Sequence, residues 1–281
     1  MSTTGNGRGN LPLPLREHYL VEKELAVRLR TSPRDARRAL YSTIYDELFR
    51  RVPHHPMLRR KSDPVTTRRL VLSQLRLLRR FLRPDTCFLE IGPGDCSLSF
   101  AVAQVVRQVY AVDVSAVISA AAGRPANVQL ILSDGTSVPV PQGSVTVAFS
   151  NQLLEHLHPD DALEQVRNIY HALARGGVYI GITPNALSGP HDVSKFFDRV
   201  PTGFHLKEYT NAELYDLFVD AGFSKVRAML SVKGHSLLMP VAVCRVAEWL
   251  IRRLPFPWSR HVAARLPARL ILGIQMVAYK A

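Results

Sequence analysis

The stretch that decides the fold is Phe88-Leu89-Glu90-Ile91-Gly92-Pro93-Gly94-Asp95-Cys96. Its apolar first half predicts a strand, and a helical pattern begins close after it. The glycines at its centre allow a sharp turn and a close approach to a ligand, because no Cβ intrudes. Amides at the start of the following helix can bind polar or negative groups. A dinucleotide fingerprint would need a further glycine where Ser97 stands. Alone, this turn is also compatible with a plain strand-to-helix connection.

Strand and helix patterns alternate on both sides of this turn. Short apolar runs predict strands at 87–91, 109–112, 128–131, 145–149, 178–182, 225–230 and 270–278. Helical patterns lie near 95–106, 115–122, 159–174 and 210–221, and the last has Thr210 and Glu213 at the spacing of a capping box. This alternation is typical of α/β proteins with a mostly parallel sheet. We therefore predict a Rossmann-like sheet of seven strands whose last strand runs antiparallel.

Charge divides the 281 residues into three parts. The net charge is +13, made of +12 over residues 1–83, −6 over 84–232 and +7 over 233–281. Helical patterns at 15–30, 33–51 and 65–82 precede the first strand, and the second of them has Ser32 as an expected N-cap. We predict a disordered tail at 1–10, a basic N-terminal helical cap at 11–83, and an α/β domain at 84–281 with a helical insert at 236–268.

The cysteines and the apolar stretches indicate the cellular location of the protein. Cys87, Cys96 and Cys244 cannot form a paired framework and lack metal-ligand spacing, so we expect no metal and a reducing cytoplasm. The first residues lack the apolar run of a signal peptide. The longest apolar region, about 236–251, is too interrupted to span a membrane. We expect a cytoplasmic protein that is at most peripheral to the membrane.

Polar residues follow three successive strands. Asp113 ends the second strand, Asp134 and Gly135 follow the third, and Ser150 and Asn151 follow the fourth. The carboxyl ends of parallel strands meet at one edge of a sheet, which is where open α/β folds bind ligands. A carboxylate at 113 can accept from both hydroxyls of a ribose, and one at 134 can accept from an adenine amino group. One such aspartate is more often a loop cap, but the ordered set predicts a nucleoside site.

Residues 86–232 resemble the small-molecule class I S-adenosylmethionine-dependent methyltransferases, the group that includes the ubiquinone and menaquinone biosynthesis enzymes. The matching segments are 88–94, 112–113, 133–135, 154–157, 175–177 and 221–223. The resemblance implies S-adenosylmethionine as cofactor. It also implies that its methionine end lies near Glu90, Gly92, Pro93 and Gly94, its ribose at Asp113, its adenine at Asp134 and Gly135, and its pocket along Asn151. Cys96 stands where the family often has a third glycine.

The acceptor side is less constrained. Orientation alone can supply roughly 7–11 kcal/mol of the barrier to an in-line displacement, so a base is not obligatory. If the acceptor is a hydroxyl, His156 and His205 are our candidate catalytic residues. For His156, a structural hydrogen bond is an equal alternative. The segment 184–209 resembles the family's acceptor-side lid, and we predict substrate contacts for His191 and Tyr209. Tyr41 and Tyr45 are further candidates, although packing of an N-terminal helix over the site explains them as well.

The basic flanks indicate an anionic partner, and several remain open. Against nucleic acid, aromatic residues are sparse in the flanks, and Asn151-Gln152-Leu153-Leu154 stands where base-methylating enzymes carry a proline-rich motif. A helix at 241–253 has a narrow polar stripe of Arg245, Glu248 and Arg252, so it either packs on the core or lies on an anionic membrane surface. We predict O-methylation of an anionic, glycan-linked or lipid-linked acceptor. An RNA methyltransferase and a non-catalytic methyltransferase-like binding module are the alternatives.

Overall fold

A single mixed sheet organises the chain, in a computed structural model that describes residues 12–55, 63–115, 123–232, 235–255, 258–265 and 267–281. The predicted tail at 1–10 and most of the predicted helix at 115–122 lie outside these residues. The strands are β1 (Cys87–Ile91), β2 (Gln108–Asp113), β3 (Val128–Leu132), β4 (Val145–Asn151), β5 (Leu173–Thr183), β6 (Lys225–Val232), β7 (His235–Pro240) and β8 (Ile274–Tyr279).

The strand order is β3-β2-β1-β4-β5-β8-β6-β7. Strands β1 to β5 pair in parallel, whereas β8 is antiparallel to both of its neighbours, β5 and β6. The prediction of a mostly parallel, Rossmann-like sheet with an antiparallel last strand is thereby confirmed. The reversal of strand order beside β1 opens a crevice at the carboxyl ends of β1 and β4.

Two details of the predicted sheet were wrong. The sheet has eight strands, because β7 pairs with β6 as an antiparallel edge strand at the start of the predicted helical insert. Pro240 is tolerated there because it stands at the end of an edge strand. The last strand begins at Ile274 instead of 270, since residues 268–272 form a short helix that ends before Gly273.

Ten α-helices are described: α1 (Leu13–Thr31), α2 (Arg34–Tyr41), α3 (Ile44–Arg51), α4 (Pro64–Leu78), α5 (Ser97–Ala103), α6 (Pro159–Ala172), α7 (Asn211–Asp220), α8 (Val241–Arg252), α9 (Trp258–Ala264) and α10 (Ala268–Leu272). The predicted helix at 33–51 is interrupted, because the hydroxyls of Ser42 and Thr43 bond to the carbonyls of Ala39 and Leu40. Ser32 ends α1 and does not cap α2.

The N-terminal helices share their cores with the sheet. Leu25 of α1 and Tyr41 of α2 belong to one buried cluster with Leu89 and Val112. Leu78 of α4 belongs to the cluster on the opposite face with Phe88. Helices therefore cover both faces, and α1 to α3 lie over the edge where β1, β2 and β4 end. Within the described parts, no helix combines the length and apolarity needed to cross a bilayer.

A candidate cofactor and active site at the carboxyl edge of the sheet

The turn after β1 depends on its glycines. Gly92 and Gly94 have φ of 72° and 62°, in the left-handed region that favours glycine. A Cβ on Gly92 would lie 3.1 Å from Leu153 Cδ1, whereas a Cβ on Gly94 would meet nothing within 4 Å. The backbone therefore packs closely against Leu153 at Gly92 and has open space beside it at Gly94. A ligand that approaches the main chain needs such space.

Two carboxylates stand beside this turn. Asp113 Oδ2 accepts from the Gly94 N–H at 3.3 Å, which links the end of β2 to the glycine turn. The buried Glu90 carboxylate accepts from the Ser99 hydroxyl at 2.5 Å. Burial raises the pKa of Glu90 to about 7, and the charges of Asp95 and Asp113 contribute in the same direction. A cationic ligand would relieve this repulsion, so the site suits a group with positive charge.

Two cavities meet at Gly92. The first has about 60 Å³ of free volume and the second about 210 Å³. The walls of the first include Tyr41, Tyr45, Gly92, Asp113, Ser133, Gly135, His156 and Gln165. The walls of the second include Thr67, Leu70, Val71 and Gln74 of α4 with Glu90, Gly92, Pro93 and Asn151. A ligand extended across Gly92 would place one end against Asp113 and the other against Glu90.

The Asp134 side chain bonds mainly to the backbone of its own turn. One of its oxygens, Oδ1, accepts from the backbone N–H of Thr136 at 3.0 Å and of Ser137 at 2.7 Å. Although burial raises the pKa of Asp134, these hydrogen bonds outweigh it and lower the pKa to about 2. The other oxygen lies 3.6 Å from Arg38 Nε. Recognition of adenine by Asp134 therefore stays a prediction, and Oδ2 is the atom it would involve.

Helix α2 is fixed over the first cavity by a buried ion pair. The Arg37 guanidinium donates to both oxygens of Asp161, at 2.7 and 2.8 Å. The Tyr41 hydroxyl donates to Asp161 Oδ2 at 2.8 Å and accepts from the His158 N–H at 2.9 Å. A Cβ on Gly135 would lie 2.7 Å from the Tyr41 ring, so the glycine allows the ring to rest on the backbone. Packing accounts for Tyr41, and contact with substrate stays a prediction for Tyr41 and Tyr45.

His156 and His205 lie side by side, with ring centroids 4.9 Å apart. His156 lines the first cavity, and its Nδ1–H donates to the Phe204 carbonyl at 3.0 Å. Burial and the adjacent His205 lower the pKa of His156 to about 3, so its ring is neutral. Burial also lowers the pKa of His205, but the hydrogen bond to Glu208 and the charges of Glu155 and Glu208 raise it overall. A general base works best near the operating pH, which makes His156 alone a weak base.

His191 and Tyr209 are placed away from the cavities. His191 is exposed, and its Nε2–H donates to the Asn185 carbonyl at 3.1 Å, within the turn that begins the loop at 184–209. Tyr209 is 2% exposed and forms an isolated bridge with Asn185. Neither lines the two cavities. The structure therefore gives both residues a role in shaping this loop, and their predicted contact with substrate has no geometric support.

Several residues of the site were not predicted from the sequence. Leu70, Val71 and Gln74 of α4 line the second cavity but carry no motif, since only the packing of α4 brings them there. Glu208 bonds to His205, and the charge of the buried Glu155 acts on the same histidine. Glu155 is adjacent to the candidate residue His156 in the chain, and this adjacency could have identified it as a site residue.

Comparisons with known proteins agree with this geometry. Residues 89–181 match the family model described as a methyltransferase domain. Two Mycobacterium tuberculosis proteins, from strains CDC 1551 and H37Rv, are each named a probable S-adenosylmethionine-dependent methyltransferase. Each is 28% identical over 202 residues, which cover 68% of this chain and 69% of the relative. A Mycolicibacterium smegmatis protein of similar name is 31% identical over 136 residues, covering 48% of this chain and 51% of its own length.

Solved structures show the same fold. A chain from the complex between the Haloferax volcanii Trm112 methyltransferase activator and a methyltransferase is 14% identical with a TM-score of 0.52, and the match covers 88% of this chain and 99% of that one. The [4+2]-cyclase SpnF is 22% identical with a TM-score of 0.50, covering 76% and 81%. The fold and the site define a class I methyltransferase domain. Residues 89–181 match a methyltransferase domain, and the chain is similar to proteins named probable S-adenosylmethionine-dependent methyltransferases. The narrower resemblance to quinone-biosynthesis enzymes stays a prediction.

Proposed function

We propose that this protein transfers the methyl group of S-adenosylmethionine to a hydroxyl of an anionic, glycan-linked or lipid-linked acceptor. When bound, the cofactor supplies a methyl group activated on a sulfonium. Glu90 and Asp113 would bind the cofactor, and the support for this is that they line the two cavities that share Gly92. The negative charge of Glu90 complements the ammonium of the methionine end, and Asp113 would accept from the ribose hydroxyls. The observation that carries the choice of acceptor is an exposed apolar face beside the loop at 184–209.

His156 would orient the acceptor. Its Nδ1–H is committed to the Phe204 carbonyl, so Nε2 is left with a lone pair that can accept a hydrogen bond from a hydroxyl. Tyr41 and Tyr45 cover the same cavity and would exclude water from it. Positioning is the main contribution that these residues make, as an in-line transfer to an oriented hydroxyl requires.

The exposed apolar face lies on α8 and α9. On α8, Val246, Trp249 and Leu250 are each more than half exposed, as is Trp258 on α9. Glu248, which the sequence placed on an outer polar stripe, is 3% exposed instead. Its carboxylate accepts from the side-chain amides of Asn185 and Asn211, at 2.9 and 3.0 Å. Because the acidic side chain faces inward, apolar side chains face outward.

A basic side chain lies against this face, in a part of the chain with a high positive charge. The Arg253 guanidinium lies 3.6 Å from the centre of the Trp249 ring, and residues 233–281 carry a net charge of +7. Exposed tryptophan and aliphatic residues beside arginines are typical of surfaces that bind anionic lipid. Helix α9 packs on the turn at Ala186–Ser188, which begins the loop at 184–209. A lipid anchor bound here would therefore lie next to that loop.

The proposal is tested with S-adenosylmethionine carrying a labelled methyl group and an extract of the source cell. The extract is separated into lipid, glycan, small-molecule and nucleic-acid fractions. We expect the label in a lipid-linked or glycan-linked product, in an ether bond stable to mild alkali. Label in nuclease-sensitive material, or on nitrogen, would contradict the proposal.

A pair of variants tests the apolar face itself. Trp249→Ser should reduce both transfer to the lipid fraction and binding to phosphatidylglycerol vesicles by several-fold, because it removes one of the two exposed tryptophan rings of the face. The matched control is Val219→Ser, at an exposed apolar residue of α7. Equal losses in the two variants would show that the apolar face has no specific part in binding the acceptor.

A further inference from the structure

Three side chains that bind metals in proteins converge below the first cavity. Glu155 and His156 lie in the short helix after β4, and His205 lies in the loop before α7. One ring nitrogen of each histidine and one oxygen of Glu155 lie within 4.8 Å of one another. Ligands of Zn²⁺ stand about 2.0–2.2 Å from the ion, so small side-chain adjustments would bring all three to one centre.

The outer hydrogen bonds of these side chains match those of metal ligands. The Nδ1–H of His156 donates to a backbone carbonyl, and the Nδ1–H of His205 donates to Glu208 Oε1 at 2.7 Å. Each ring is thereby fixed with Nε2 available. Metal-binding histidines almost always donate their other N–H to a carbonyl or carboxylate in this way. The Thr183 hydroxyl donates to Glu155 Oε2 at 2.8 Å, which orients the third side chain.

The remaining oxygen of Glu155 is the second observation. Glu155 is 0% exposed, and its Oε1 has no hydrogen-bond partner among the described residues. A buried carboxylate oxygen without a partner is costly unless a cation compensates it. The two histidines beside it offer the further ligand atoms that such a cation needs.

In a second histidine–carboxylate cluster, the corresponding side-chain atoms already have hydrogen-bond partners. His18, Glu22 and His55 also place their ligand atoms close together. There, however, the Nε2 atoms of both histidines bond to Glu22 Oε1, at 2.6 and 3.3 Å. Glu22 Oε2 accepts from the Phe204 N–H at 3.3 Å. Because these atoms already bond to one another, this cluster serves as the control.

We propose that Glu155, His156 and His205 bind one divalent transition-metal ion of the Zn²⁺ type. Two imidazoles and one carboxylate favour such an ion over Mg²⁺, which prefers an all-oxygen environment. The sequence led us to expect no metal, because the three cysteines lack metal-ligand spacing. An ion held by His156 would face the first cavity and could lower the pKa of an acceptor hydroxyl. With an ion bound, His156 Nε2 would ligate the ion, and the ion would contact the acceptor hydroxyl in place of His156. The test below measures metal binding, separately from methyl transfer.

The test uses the full chain, without a histidine tag and stripped with a chelator, titrated with Co²⁺ and then with competing Zn²⁺. We expect one ion per chain, with the visible spectrum of protein-bound Co²⁺. His205→Ala and Glu155→Gln should weaken binding at least tenfold, and Glu208→Gln about 10–100-fold, as is typical of outer partners. His55→Ala, from the control cluster, should bind the metal like the wild type.

Two outcomes would overturn the proposal: no stoichiometric binding by the wild type, or loss of binding in His55→Ala with retention in His205→Ala. If the variants fail to fold, the stoichiometry and the spectrum of metal bound to the wild type test the proposal. Paramagnetic resonance of bound Cu²⁺ should show coupling to two imidazole nitrogens, and a spectrum without nitrogen coupling would contradict the site. Calorimetry with S-adenosylhomocysteine on the stripped protein tests the cofactor site separately.

Discussion

Cys96 stands where the family often has glycine, and its backbone conformation in the structure is unfavourable for a residue with a side chain. It is fully buried and has φ of 60°, in the left-handed region that glycine adopts freely. For a residue with a Cβ this conformation costs roughly 1–2 kcal/mol. The sequence could indicate the departure, but not the dihedral angle, since φ is set by how the turn joins α5.

This strain predicts an order of stability for two variants. Cys96→Gly and Cys96→Ala both remove the buried sulfur, but only the glycine variant also relieves the positive φ. We expect the glycine variant to be more stable than the alanine variant by about 1 kcal/mol in urea unfolding. Equal stabilities, or a more stable alanine variant, would show that residue 96 is not strained.

At the scale of elements, the local signals of the sequence were the most dependable. The capping box of α7 is confirmed, because the Thr210 hydroxyl and the Glu213 carboxylate bond reciprocally across the first turn. Strand β1 has the predicted bounds. The signals that failed depended on context. Strand β7 is defined by pairing with β6, and the break between α2 and α3 depends on hydroxyl groups that compete for helix carbonyls.

One contact between elements predicts a dependence on pH. Glu22 joins α1 to His55 and to the Phe204 N–H. Burial raises the pKa of Glu22, but the hydrogen bonds from His18 and His55 and the charge of His18 lower it to about 2, from an ordinary 4.5. Because the folded pKa is depressed, the stabilisation is complete above pH 4.5 and is lost as pH falls toward 2.

The comparison is between the wild type and Glu22→Gln. At pH 7 we expect the wild type to have a higher free energy of unfolding, by an amount on the order of 3 kcal/mol. The difference should shrink steadily in urea unfolding from pH 5 down to pH 3. A difference that does not change with pH would mean that the Glu22 charge contributes nothing to this contact.

At the scale of the molecule, the sequence predicted the sheet and the edge that carries the site. Alternating strand and helix patterns and polar strand ends suffice for that, because parallel strands align their carboxyl ends. The cap was predicted as a helical region, but its closure over the first cavity was not. That closure depends on the Arg37–Asp161 pair, which joins elements distant in sequence and has no local signature. The wall that α4 contributes was missed for the same reason.

The most direct test of the central claim is calorimetric titration with S-adenosylhomocysteine. The wild type should bind one molecule per chain across Gly92, and Asp113→Ala should lose at least tenfold in affinity, since a charge-assisted hydrogen bond contributes about 1.5–3 kcal/mol. Asp216→Ala, at an exposed carboxylate of α7, should bind like the wild type. No binding by the wild type, or unchanged binding by Asp113→Ala, would contradict the cofactor site described above.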